Sequence, residues 1–274
     1  MKYKKIPVQA ITLFQNKVLS HYRRNKRDLP WRRTPDPYRI LVSEIMLQQT
    51  QVDRVILKYT AFIRAFPDVR SLARASLRKL LVAWQGLGYN RRALMLQRSA
   101  RIILEKYDGS VPDDPEELVL LPGIGMATAA AVLAYAFNKP MVYIETNIRT
   151  VFIHEFFYNK KTVHDKELVP LVEKTLFRKD PRTWYNALMD YGVMLKKKFK
   201  NPSRRSVHHS RQSKFKDSDR EIRGMIIRLL SVHNSLSLNR LQILSKVNKN
   251  RLVCIADQLL REGLIKKISG KFTI

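Results

Sequence analysis

Apolar side chains return every three or four positions through most of residues 8–195, and prolines cut that pattern into separate runs. The first run holds Ile11, Leu13, Phe14, Val18, Leu19 and Tyr22, and the spacing recurs in 38–63, 70–84, 91–106, 127–137 and 166–177. That period marks helices with one buried face. Pro30, Pro35, Pro37, Pro67, Pro112, Pro115, Pro122 and Pro140 lie between the runs, where residues that cannot continue a helix belong. No sustained strand-type alternation interrupts them. The expected fold class is all-α, in a chain whose 274 residues suffice for one large domain or two smaller ones.

A change of composition comes next. From Lys196 to Lys216 the sequence KKKFKNPSRRSVHHSRQSKFK has no acidic residue and almost no apolar one, which reads as a basic linker over 196–217 suited to phosphate contact. Beyond it, 218–274 forms a second unit. Ile222, Met225, Ile226, Leu229 and Leu230 make one helical face; Leu238, Leu241, Ile243, Leu244 and Val247 make a second; Leu252, Ile255, Ala256, Leu259 and Leu260 make a third. Residues 264–274 then alternate like a hairpin turning at Ser269-Gly270. Three helices and a hairpin describe a winged-helix-like module, with Asn248, Lys249, Asn250 and Arg251 placed to meet a groove. Such modules serve protein contacts as well as DNA.

A net charge of +29 far exceeds what solubility needs and points to a polyanionic partner. Nucleic acid fits better than a membrane, since no apolar run approaches a span and no signal peptide precedes residue 20. The one cysteine, Cys254, excludes an internal disulfide and any multi-cysteine metal site, and suits a reducing compartment; the expected location is cytoplasmic and nucleoid-associated. Cys254 itself reads as a buried, inert residue on a helix's apolar face. His208 and His209 have no cysteine or carboxylate partners nearby in sequence, so no metal site is expected.

Three motifs carry chemistry. In Ser43-Glu44-Ile45-Met46-Leu47-Gln48-Gln49-Thr50-Gln51 a single carboxylate stands in an apolar helix opening, followed by amides. A packed carboxyl tends to a raised pKa, as a general acid requires, although Ser43 and Glu44 also suit a helix's first turn as caps. Leu121-Pro122-Gly123-Ile124-Gly125-Met126-Ala127-Thr128-Ala129 leaves backbone N–H groups at a helix start, a seat for phosphate. In Tyr143-Ile144-Glu145-Thr146-Asn147-Ile148-Arg149, Glu145 reads either as an N-cap or as a second functional carboxylate. Two carboxylates, an anion-binding hairpin and a basic surface together suit cleavage of a glycosidic bond in DNA. One carboxyl would assist departure of the base and the other would face the positive charge developing on the sugar.

Residues 10–195 resemble the helix–hairpin–helix glycosylase superfamily, and within it the MutY-type adenine DNA glycosylases. The resemblance rests on Leu29-Pro30-Trp31-Arg32, Asp36-Pro37-Tyr38, Ser43 to Val52, Phe66-Pro67, Trp84 to Tyr89, Leu121 to Thr128, and Ala187 to Gly192. It implies a glycosylase core of two helical lobes over 1–195 and a double-stranded DNA partner bearing a mispaired or damaged base, bound by a monomer. Glu44 is then the residue that protonates adenine and later handles the water, and Glu145 its electrostatic partner. Gln49 and Tyr89 probe the DNA where the base is extruded. Arg32, Gln48, Thr50, Gly123, Gly125, Ala127, Thr128 and Asn147 complete the implied DNA and base contacts.

Four departures set this chain apart from the MutY pattern. Glu145 stands where the family has a catalytic aspartate. The iron–sulfur loop's cysteines are replaced by Lys196, Ser203, Ser206 and Gln212, so no cluster is expected. The domain that reads 8-oxoguanine is expected to be missing, displaced by the module at 218–274. Ala127 occupies the position of the Schiff-base lysine of lyase-competent relatives, which implies a monofunctional enzyme. Asp190 reads as a helix cap or orienting group rather than a catalytic one. The preferred reading is excision of adenine opposite G or 8-oxoguanine. The alternatives are excision of mismatched T or U by the same chemistry, and a DNA-binding protein with a decayed site.

Overall fold

A computed structural model describes residues 7–210 and 212–274; residues 1–6 and Arg211, which the core and linker ranges include, lie outside it. The helices are α1 (Val8–Asn25), α2 (Pro37–Leu47), α3 (Val52–Ala65), α4 (Val69–Ala73), α5 (Leu77–Trp84), α6 (Arg91–Lys106) and α7 (Pro115–Val119). They continue with α8 (Met126–Phe137), α9 (Thr146–Phe156), α10 (Asp165–Thr175), α11 (Pro181–Lys198), α12 (Asp219–Val232), α13 (Leu238–Ser245) and α14 (Lys249–Arg261). Local chemistry sets several boundaries. Asp68 accepts the Ser71 N–H at 2.7 Å to start α4, Ser76 starts α5, and Asp180 with Pro181 behind it starts α11. The apolar spacing through 38–63 is not one helix. It breaks at Gln48–Gln51, and the run 70–84 breaks at Arg74–Ser76.

The chain forms two compact units, each drawn from separated stretches. The first joins the chain up to Ile40 with Asp113–Val119 and Ile124–Arg211. Its core centres on α1, α9 and α11, where Phe14 meets the rings of Phe152 at 5.5 Å and Trp184 at 5.7 Å, edge to face. The basic segment after α11 is partly built into this unit. Pro202–Arg205 form a 3-10 turn, Ser203 and Ser206 are buried, and Ser206 pairs with Val163 through a parallel bridge. Arg205 donates to the carbonyls of Ile153, Phe157, Tyr158 and Lys160 at 2.7–3.1 Å, covering the acceptors at and beyond the C-terminus of α9.

The second unit joins Leu41–Pro112, Leu120–Gly123 and Gln212–Ile274. Here α12, α13 and α14 carry the three apolar faces read from sequence, except that Ile243 is exposed and Val247 packs from beyond the end of α13, and Leu81 and Leu94 from α5 and α6 join their core. The hairpin is β2 (Lys266–Ile268) and β3 (Lys271–Thr273), with Ser269 and Gly270 both at positive φ, 46° and 75°. A further strand, β1 (Ser235–Ser237), pairs with β3 on its other edge, giving a three-stranded antiparallel sheet. Three residues are too few to show an alternation in sequence. Cys254 is exposed, against the expectation of burial, because the apolar face of α14 is Leu252, Ile255, Ala256 and Leu259. Among the described residues no helix is long and apolar enough to cross a membrane.

Candidate active site

Glu44 does not lie at a helix opening. α2 starts at Pro37, with Asp36 accepting the Arg39 N–H at 3.1 Å, so Glu44 falls in the last turn before Leu47. Capping of an N-terminus is therefore excluded for it. Ser43, Ile45 and Met46 are buried around it, while Glu44 itself is half-buried.

The end of α2 and the turn beyond it are held by a residue that no sequence motif singles out. Arg92, in the first turn of α6, donates to the carbonyls of Ile45 at 2.9 Å and Met46 at 3.0 Å, and to that of Gln48. Its other nitrogen donates to the Thr50 hydroxyl at 3.0 Å and to the carbonyls of Leu87 and Gly88 at 3.2 Å. One guanidinium thus terminates α2 and ties the Gln48-Gln49-Thr50 turn to the Gly-Leu-Gly-Tyr loop. Burial lowers Arg92 to about 10, which leaves it charged at neutral pH. In that framework Gln49 and Tyr89 both adopt left-handed backbone conformations, φ 54° and 47°. Such conformations cost non-glycine residues on the order of 1–3 kcal/mol and persist only where the surroundings impose them. Both residues line a cleft of about 530 Å³ together with Ile45, Gln48 and Asn90.

Glu145 lies in the other unit, in tighter surroundings. It is the N-cap of α9, its carboxylate accepting the backbone N–H of Asn147 and, at 2.8 Å, that of Ile148. The Asn147 amide donates to the second carboxylate oxygen at 3.2 Å, and its own oxygen accepts from Lys196 Nζ at 2.8 Å. Met189, Gly192 and Lys196 form one stripe of α11 against Asn147. Met189 Sδ is 3.5 Å from the amide nitrogen, and a Cβ on Gly192 would fall 2.8 Å from both Cβ and O of Asn147. Only glycine permits that approach. Burial pushes the Glu145 carboxyl up, partly countered by the Ile148 N–H, Lys196, the Asn147 N–H and Arg149. Burial also pulls Lys196 down, against the pull of Glu145. Glu145 and Lys196, where the resemblance implied an aspartate and a cysteine, are therefore joined in space through Asn147.

The hairpin supplies backbone. Gly123, at φ 81°, packs so that a Cβ would meet Met95 Cβ at 2.9 Å, and Ser99 donates to the Pro122 carbonyl at 2.8 Å. Gly125 is the N-cap of α8 and brings no capping oxygen, and the first turn of α8 has no acidic side chain. Gly123, Gly125 and Ala127 are exposed and Thr128 is half-buried. An exposed helix start of this kind can receive an anion.

The model of the HhH-GPD superfamily of base excision DNA repair proteins matches residues 42–174. Residues 42–174 form an HhH-GPD domain. The chain is 35% identical over 188 residues to an adenine DNA glycosylase of Buchnera aphidicola subsp. Baizongia pistaciae, an alignment covering 67% of this chain and 53% of that protein. It is 40% identical over 153 residues to the human adenine DNA glycosylase, covering 53% of this chain and 28% of the human one. The chain thus spans about half or less of these relatives' lengths. A solved thermostable thymine-DNA glycosylase superposes with a TM-score of 0.60 at 28% identity, covering 67% of this chain and 86% of that one.

Flanking the HhH-GPD domain, Arg32 turns inward. It grips Asp190 through two bonds at 2.8 and 2.9 Å, and Arg27 adds a side-chain bond at 2.6 Å and a backbone one at 3.0 Å. Burial raises the Asp190 carboxyl, but Arg32 and Arg27 outweigh it and hold it below the usual range. Asp190 sits in the middle of α11, so it caps no helix, and Arg32 orders the first unit from a largely buried position. The residues present do not suit a four-cysteine iron–sulfur cluster: Lys196, Ser203, Ser206 and Gln212 offer no thiolate, and Cys254 is the chain's only cysteine. Among the described residues no group of three His, Cys, Asp or Glu side chains could hold a metal ion.

Proposed function

We propose that this chain is a monofunctional DNA N-glycosylase that hydrolyses the glycosidic bond of an extruded adenine mispaired with G or 8-oxoguanine. The observation that carries this reading is the placement of Glu44 in the last turn of α2, immediately before the strained, cleft-lining Gln49. The bases of a duplex are stacked, so the target is drawn out, and Gln49 and Tyr89 enter the gap it leaves. Glu44 gives its proton to the departing base and then deprotonates the attacking water. Glu145 faces the oxocarbenium-like sugar. Burial makes its anion unfavourable in the resting protein, so a cation formed beside it recovers more than it would in water. The start of α8 grips the backbone phosphate, and the +29 charge draws the protein to duplex DNA as a monomer. Ala127 offers no amine to attack the sugar, and no iron–sulfur cluster or other cofactor is required.

Relatives named adenine DNA glycosylase support adenine as the base. The similarity to a thymine-DNA glycosylase favours a second reading, removal of thymine or uracil mispaired with G. Single-turnover base release from duplexes carrying A opposite 8-oxoguanine, A opposite G, T opposite G and U opposite G separates them, with alkali converting abasic sites to cuts. Adenine release that disappears in Glu44→Gln is the expected result. Pyrimidine release alone establishes the second reading. No release with salt-sensitive binding intact indicates a binding protein.

A further inference from the structure

The cleft beside Gln49 and Tyr89 is not built by the HhH-GPD domain alone. Arg220, Arg223 and Gly224 of α12 line it together with Gln48, Gln49 and Tyr89. Arg220 donates through one nitrogen to the Tyr89 hydroxyl at 2.7 Å and through the other to the carbonyl and hydroxyl of Ser213 at 2.7 and 3.1 Å, and Gln212 donates to the Tyr89 oxygen at 2.6 Å. The guanidiniums of Arg220 and Arg92 each lie 5.3 Å from the Tyr89 ring centre. The left-handed backbone of Tyr89 is thus imposed from two directions: by the loop and Arg92 beneath it, and by side chains from beyond residue 211. The C-terminal module is itself fixed in register. Arg78 of α5 donates to the carbonyls of Leu230, Ser231 and Asn234 at 2.8–3.1 Å, Gln85 donates to the Ser231 hydroxyl at 3.2 Å, and Leu81 and Leu94 complete its core. Arg220 therefore stands at a defined place against Tyr89.

We infer that Arg220 is a specificity-determining residue, and that the cleft it completes receives the purine left unpaired when the opposite base is extruded. This rests on the glycosylase reading above. The lining favours a planar ligand rich in acceptors. Guanidinium and amide donors dominate it, and its acidic residue, Glu262, is paired with Arg223 at 2.5 Å. A guanine edge presents two adjacent acceptors, O6 and N7, for which Arg220 would exchange its bonds to Ser213, whereas cytosine presents an amino donor there. The cleft, at about 530 Å³, is ample for one base. The module at 218–274 would then contribute to choosing the opposite base, beyond any general grip on DNA.

The test compares single-turnover adenine release opposite G with release opposite C, in the unaltered 274-residue chain and in two variants. Arg220→Met keeps the apolar stem and removes the donors. Gly224→Leu fills the cleft from a position where an added Cβ meets no atom within 4 Å, so it tests the cleft even if the first variant fails to fold. The G-over-C preference is expected to fall by roughly tenfold in either variant, the scale of one lost bidentate contact. An unchanged preference, or an equal slowing on every duplex, overturns the inference while leaving the glycosylase reading standing. No base release by the unaltered chain overturns both.

Discussion

Glu145 and Glu44 occupy opposite kinds of surroundings. Glu145 begins a helix, is bonded by two backbone N–H groups and an amide, and is backed through that amide by a half-buried lysine. Glu44 closes a helix, and Gln49 in the turn after it adopts a left-handed backbone conformation over an open cleft. The first arrangement fixes the position of a carboxyl, whose anion burial disfavours, and has little left to adjust. The second is suited to a group that must gain and lose a proton and to neighbours that must meet an incoming strand. Two carboxyl groups of the same type thereby stand at opposite helix ends, in opposite fields.

That contrast can be broken in graded steps. The largest effect is expected from Glu44→Gln, which should slow single-turnover base release by about 10²–10⁴-fold while duplex binding survives. A variant that still releases base at the original rate would remove Glu44 from the chemistry. Next comes Asn147→Ala, which frees one oxygen of Glu145 and should cost on the order of 100-fold, as a misplacement of about 1 Å does. Lys196→Met should cost less, about tenfold, and the double variant should be no slower than Asn147→Ala if Lys196 acts through Asn147. Additive losses would place Lys196 on a separate path. Gly192→Ala should destabilise by about 1–3 kcal/mol in urea unfolding, since its methyl would press into Asn147.

The smallest effect is a pH dependence. A carboxyl whose pKa is higher in the folded state binds its proton more tightly there, so its contribution is greatest below the ordinary glutamate range and declines as pH rises through the folded value. The melting temperature of Glu145→Gln should therefore gain on that of the unaltered protein as pH is raised from that range toward neutrality. A difference that stays constant would mean that burial does not govern Glu145.

The helical core, the C-terminal hairpin and the three motifs were legible because each is written in neighbouring residues. Ser269-Gly270 names its turn, and Asp180-Pro181 starts a helix by chemistry confined to two positions. Contacts across long separations were not legible. Lys196 reaches Asn147 over 49 residues, and in sequence it is one lysine among many. Arg92 reads as a surface charge in a first helical turn, yet its donors reach back 42–47 residues to the end of α2 and its turn. Arg32 stood among the DNA contacts only by resemblance, and nothing local announces Asp190 as its partner across 158 residues. The position of Glu44 was misjudged for a different reason. Asp36-Pro37 is a sufficient helix start, but the eye settles on the Ser-Glu pair closer to the conspicuous motif.

The interleaving of the two units along the chain has a consequence for how the protein is made. Leu81 and Leu94 belong to a core whose other members begin at Ile222. At roughly 5–20 residues per second the ribosome needs on the order of ten seconds to deliver those partners after Leu94 has been made. For that interval an apolar patch on α5 and α6 stays uncovered, a natural landing place for a nascent-chain chaperone. Messages truncated anywhere before residue 222 would leave it uncovered for good.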